Sequence, residues 1–260
     1  MIDFTFSYAD LEYFLLILVR ITGFIFIAPF YSMNNTPARI KIGLAIFLSY
    51  LIFTVETPHV AVTYRTIAGY AVLVIKEVLV GLLLGFGTNF CTSIISFAGH
   101  VMDMEIGLSM VMLMDPTTQE TSSVSGVFYQ YMLMLFLIIT GMYRYLLRAL
   151  ADTFTLIPIS KAVFDMDSLL ASMLTFMSNY IIIGFRICLP VFTVMIMLNA
   201  ILGILAKVSP QMNMFAVGIQ FKILVGLAVM FLTVEMMPGA ADFIFTQMKT
   251  TVVSFVEGMM

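Results

Sequence analysis

The stretch from Gly99 to Pro116 gathers the side chains best suited to chemistry: His100, Asp103, Glu105 and Asp115, with methionines at 102, 104, 110, 112 and 114. Carboxylates beside a histidine could move protons or hold a metal, and thioethers are soft ligands for copper. The spacing suits neither. Asp103 and Glu105 are two apart, so they point to different faces of a helix. His59 and His100 lack the neighbouring ligands that a zinc site needs. Cys91 and Cys188 stand alone in apolar surroundings, as reduced buried thiols do. The 23 methionines run through the whole chain without alternating His or Cys, which favours flexible apolar packing over metal binding. No phosphate-cradling glycine loop is present. The expectation is no catalysis, no cofactor and no metal.

What these residues do establish is a place outside lipid. Two carboxylates and a closing Asp115-Pro116 turn, followed by the polar run from Thr117 to Ser123 with Glu120 inside it, need protein or an aqueous passage around them. Gly107 favours a break before that turn. The apolar periodicity from Met102 to Met114 argues against a plain aqueous loop.

The elements that carry this segment are membrane-grade. The chain is 62% hydrophobic and 10% charged over 260 residues, with a mean hydropathy of +1.08, outside the range of soluble domains. The expectation is an all-α polytopic membrane protein, a single integral membrane domain over residues 1–260. Asp3, Asp10 and Glu12 precede the first base, Arg20, so the first apolar stretch lacks the start of a cleavable signal and should stay in the mature protein. A net charge of −3 spread thinly argues against a nucleic-acid surface.

Crossing a hydrocarbon core of roughly 30 Å takes about 20 residues. Six segments qualify or come close: Leu11–Tyr31, Ile40–Val55, Ile67–Phe97, Val124–Tyr143, Leu169–Ala206 and Phe221–Met237. Pro37, Pro58, Pro116, Pro158, Pro210 and Pro238 fall between or just after them, where helices should stop. Leu169–Ala206 exceeds a simple crossing and should bend, tilt steeply or fold back, with Gly184, Arg186 and Pro190 at its middle. Ile67–Phe97 has the same character, with Lys76-Glu77 inside it, and its Gly81 and Gly85 form a small-xxx-small pair for close helix packing.

Loop charges give no orientation. Arg39, Lys41, Lys207 and Lys222 fall on one side of six alternating crossings, and Arg65, Arg144, Arg148, Lys161 and Lys249 on the other. Hairpins held by partner subunits rather than lipid would produce such a balance, and the charges inside the apolar runs would then face protein.

A second dense stretch follows the fifth segment. Gly203, Lys207, Pro210, Gln211, Asn213, Phe215, Gly218 and Lys222 read as a helix end, a capped turn whose amides satisfy exposed backbone, and a restart. With Arg20, Pro29, Pro37 and Lys41 early in the chain, Gly99, Asp103, Gly107, Asp115 and Pro116 in the middle, and Arg186 with Pro190 later, the order and spacing resemble the FliR/SctT-like export-gate family of flagellar and virulence type III secretion. Gln220 departs from the family's pattern, which has a proline there.

That resemblance implies a single subunit that joins FliP-like and FliQ-like membrane subunits, alongside FlhB-like and FlhA-like export components, in the bacterial inner membrane at the flagellar basal body. It implies a pore that passes unfolded flagellar proteins, and a plug carried by Gly107, Met110, Met112, Met114, Asp115, Pro116 and Glu120. Asp103, Arg186, Pro190, Lys207, Pro210, Gln211, Asn213, Phe215 and Gly218 would be the structural residues of the family pattern. The same role in a virulence injectisome, or a stand-alone small-solute transporter, are the other readings; a transporter predicts paired internal repeats, and none stands out.

Overall fold

A computed structural model describes residues 8–33, 36–55, 64, 66–111, 123–209 and 214–260. Every regular element in them is helical: α1 (Tyr8–Ile27), α2 (Ala38–Val55), α3 (Ile67–Ile106), α4 (Val124–Ile139), α5 (Met142–Leu156), α6 (Met166–Val208), α7 (Met214–Thr233) and α8 (Met237–Glu257), with short 3₁₀ turns at Leu108–Val111 and Val234–Met236. The all-α membrane architecture expected from composition is the one observed. Four helical stretches are long and apolar enough to cross a membrane, and α4 with α5 would make a fifth if the two count as one broken span.

Several boundaries differ from expectation, α7 among them, which begins at Met214 rather than Phe221. α3 does not stop at Phe97 but runs on through Asp103 and Glu105, so the first half of the acidic, methionine-rich stretch is helix. The fourth segment ends at Ile139; Gly141, at φ +71°, turns the chain into α5, a separate helix whose apolar side is Met142, Leu146, Leu150 and Phe154. Of the bend, steep tilt or fold-back expected for the fifth segment, the fold-back is excluded: α6 is a continuous helix of 43 residues with Pro190 inside it. Pro238 does not end a helix. It sits in the first turn of α8, where a missing N–H costs nothing and a fixed φ helps.

The chain forms two compact units. The first comprises residues 1–91, 141–176 and 247–260. In it α1 buries Leu16, Ile17, Arg20, Ile21 and Phe24, the face that helical spacing predicts. α1 crosses α3 closely because both helices are small there. A side chain at Gly81 would collide with the Arg20 carbonyl oxygen; at Gly85 its Cβ would lie 3.0 Å from the Phe24 carbonyl oxygen, and at Gly23 3.1 Å from that of Val78. The expected small-xxx-small contact is therefore real, and its partner is α1. Phe53 of α2 packs against Phe14, with ring centres 5.8 Å apart. The extended stretch before α6 pairs with the chain end through Val163 N–H to the Met259 carbonyl, 3.1 Å, and Asp165 N–H to that of Gly258, 3.0 Å.

The second unit comprises residues 92–140 and 177–246. Its core includes Ile94, Ile95, Ala98, Met102, Tyr129, Leu133, Cys188 and Met195. α3 and α4 meet at glycine on glycine: a Cβ on Gly99 would overlap the Gly126 backbone. Phe97 packs on Tyr180 and Phe185 of α6, with ring centres 5.6 and 5.8 Å away.

Candidate functional site

Asp103 lies in the last turn of α3 and is 1% exposed. Its carboxylate meets the start of α4. Ser123 Oγ donates to Oδ2 at 2.7 Å, the Ser125 N–H lies 3.3 Å from both oxygens, and the Ser125 hydroxyl donates to Oδ1. Ser123 is also the N-cap of α4, its Oγ accepting from Gly126 N–H at 2.9 Å. An anion beside a helix N-terminus is favoured by the helix dipole and by the free N–H groups there. Ser125 Oγ is also 3.2 Å from Met230 Sδ, but its single proton goes to the stronger acceptor, the carboxylate.

One buried side chain thus joins the end of α3 to the start of α4, and so ties together both ends of the segment between them. At the near end the chain leaves α3 through Gly107, whose φ of +89° is a left-handed conformation that a Cβ would strain. The break expected at Gly107 is observed. Met110 lies in the following 3₁₀ turn. Met112, Met114, Asp115, Pro116 and Glu120 lie outside the described residues, as do Pro210, Gln211 and Asn213.

Of the remaining sequence candidates, Phe215 falls in the first turn of α7. Gly218 is buried on α7, where its Cβ position is 3.6 Å from Leu202 Cδ1 of α6. Lys207 is exposed in the last turn of α6. Arg186 and Pro190 line a cavity of about 200 Å³ in the second unit, together with Tyr129, Ile183, Ile187, Thr233, Met236, Met237, Gly239, Ala240 and Phe243. The structure brings Arg186 and Pro190 together there and places Asp103 separately, on serines that the sequence reading did not single out. A Ser-x-Ser immediately before an apolar helix was the signal available for them.

The first unit holds a second polar centre that sequence reasoning missed as a pairing. Arg20 on α1 donates from Nε to Glu77 Oε2 on α3 at 2.5 Å, and both side chains are 0% exposed. Arg20 Nη1 donates to the carbonyls of Thr153, 3.2 Å, and Ile157, 3.0 Å, at the end of α5. The guanidinium carbon lies 4.5 Å from the Phe154 ring centre. Glu77 Oε1 accepts the Ser160 N–H at 3.0 Å, and Lys76 Nζ donates to the Ala162 carbonyl at 3.3 Å. A cation at a helix C-terminus satisfies carbonyls that the helix leaves open. The pair therefore locks α1, α3 and the α5 exit loop to one another. Burial of Arg20 and Glu77 meets the expectation that charges in the apolar runs face protein, whereas Arg186 is exposed on this chain.

Asp103 accepts donors on both oxygens, and Arg20 is held by acceptors at Nε and Nη1 while its buried Nη2 has no hydrogen-bond partner among the described residues. Among the described residues no group of three His, Cys, Asp or Glu side chains could hold a metal ion.

Comparison with known proteins agrees with this picture. Residues 11–248 match the family model described as bacterial export proteins, family 1. The chain is similar to the flagellar biosynthetic protein FliR of Bacillus subtilis (strain 168), 31% identical over 82% of each chain. It is similar to that of Escherichia coli (strain K12), 29% identical over 87% of this chain and 84% of the relative. The same holds for that of Buchnera aphidicola subsp. Baizongia pistaciae (strain Bp), 28% identical over 91% of both. With a match that leaves out only short ends, the chain belongs to the bacterial export proteins, family 1.

Proposed function

We infer that this chain is a subunit of the flagellar type III protein-export gate, a membrane component that helps form and plug the pore through which unfolded flagellar proteins pass. The observation that carries the reading is the family match over residues 11–248, joined to relatives that bear flagellar names along most of their length. Those names favour the flagellar system over an injectisome. The chain acts by assembly and gating rather than by catalysis, as one integral membrane domain in the inner membrane at the basal body.

Its surface supports the need for partners. Only 11% of the apolar window of α2 is buried, and 22% of that of α6. Lipid or other subunits must cover the rest, and FliP-like and FliQ-like subunits are the natural cover, with FlhB-like and FlhA-like components at the same machine. The segment from Gly107 to Glu120 is the plug. The support for that assignment is the Asp103 tie, which joins the end of α3 to the start of α4 on either side of the segment.

Deleting residues 107–120 from the assembled gate tests the plug. Single-channel or dye-flux measurement is expected to show leakage of small molecules; conductance equal to that of the intact gate would overturn it. Native mass measurement of the co-purified complex tests the subunit role, and recovery of the chain alone as an active solute carrier in proteoliposomes would overturn that.

A further inference from the structure

Arg186 is a cation set among grease. The exposed side chains around it on α6 are Ile181, Ile182, Phe185 and Leu189. Its guanidinium carbon lies 5.4 Å from the Phe243 ring centre, and no carboxylate among the described residues pairs with it. Arginine keeps its charge at any physiological pH. A ring face offsets part of the cost, but a charge on an apolar surface still calls for an anion.

Beside the guanidinium lies the cavity of about 200 Å³, walled by Ile183, Ile187, Pro190 and Met236. The two hydroxyls in its lining, Tyr129 and Thr233, are 3.0 Å apart and bond to each other. What remains for an occupant is an apolar pocket with one cation at hand. It is smaller than the roughly 300–1,000 Å³ of sites for whole drug-sized ligands, and suits a segment of an acyl chain.

Arg186 lies near the midpoint of the 43-residue α6, and exposed apolar side chains continue along the helix on both sides of it, from Leu170 to Phe185 and from Leu189 to Ile201, so an occupant of this surface must offer apolar chains as well as an anion. We propose that Arg186 and the adjoining cavity form a binding site for an anionic phospholipid, with the phosphate on the guanidinium and part of one acyl chain in the cavity. A carboxylate from a partner protein would answer the charge but leave the preformed apolar pocket unexplained, whereas an amphiphile answers both.

The test is native mass spectrometry of the full chain in detergent, titrated with dioleoylphosphatidylglycerol or dioleoylphosphatidylcholine. The anionic lipid is expected to bind roughly tenfold more tightly, the scale of one charge-assisted hydrogen bond. Arg186→Gln should erase that preference, and Arg186→Lys should restore most of it. Gly239 lines the cavity and a Cβ there meets nothing within 4 Å, so Gly239→Leu should lower the affinity for both lipids by taking up cavity space. An unchanged preference in Arg186→Gln, or equal binding of both lipids to the native chain, overturns the proposal. So does displacement of the lipid by millimolar inorganic phosphate alone, which would mark a simple anion site. Loss of partner subunits from Arg186→Gln with lipid binding intact would assign the charge to a protein carboxylate instead.

Discussion

Arg20 and Glu77 stand 57 residues apart in sequence and 2.5 Å apart in space, an ion pair from which solvent is wholly excluded. Removing one member strands the other. Arg20→Met or Glu77→Leu alone is expected to cost about 3–5 kcal/mol, and the double variant distinctly less than the sum. Thermal unfolding of the four proteins in one detergent checks this; additive losses would show that the pairing is energetically idle.

Glycines at a helix crossing and on an open face should respond in opposite ways. Gly81→Val forces α1 away from α3 and is expected to destabilise by about 1–3 kcal/mol. Gly43 on α2 has nothing within 4 Å of its Cβ position, so Gly43→Ala should stabilise by up to about 1 kcal/mol through helix propensity. Unfolding midpoints of both variants decide the matter.

Asp103→Ala leaves the Ser123 and Ser125 donors without their acceptor and is expected to cost about 1–3 kcal/mol. The loss should be local. Hydrogen exchange of the Ser125 and Gly126 amides should quicken before that of α1, and leakage through the assembled gate should rise. Native protection at these two amides would remove Asp103 from its role as a tie.

Asp165 caps α6 and should make its first turn pH-sensitive. The Ser168 hydroxyl, with the N–H groups of Asp167 and Ser168, holds its carboxyl below the usual 3.8. A depressed folded value means that the stabilisation is complete above about 3.8 and is lost as pH falls through the folded value. Amide protection at Ser168 and Leu169 should therefore be constant at neutral pH and decline only in acid. Asp165→Asn keeps an acceptor without the titration, so its protection should stay flat with pH.

The helical plan was legible where composition alone decides it. Gly81 and Gly85 also announced a close crossing, because small residues four apart have one packing consequence. Other features were hidden for identifiable reasons. α5 was hidden because Arg144 and Arg148, on the exposed side of an amphipathic helix, look like loop charges when apolar runs are the criterion. The restart at Pro238 was hidden because proline ends and begins helices alike. The Arg20–Glu77 pairing was hidden because nothing in a single sequence links positions so far apart, and Asp103 was compatible with either protein or an aqueous passage around it until Ser123 and Ser125 came beside it.

The reach of Arg20 imposes an order on synthesis. Its carboxylate partner is made 57 residues later, and the two carbonyls that accept from it 133 and 137 residues later. Until Ile157 has left the ribosome, the first helix carries a charge whose final neighbours do not yet exist. The neighbours of Arg20 are therefore all in place only after α5 has been translated, with α6, α7 and α8 still to come.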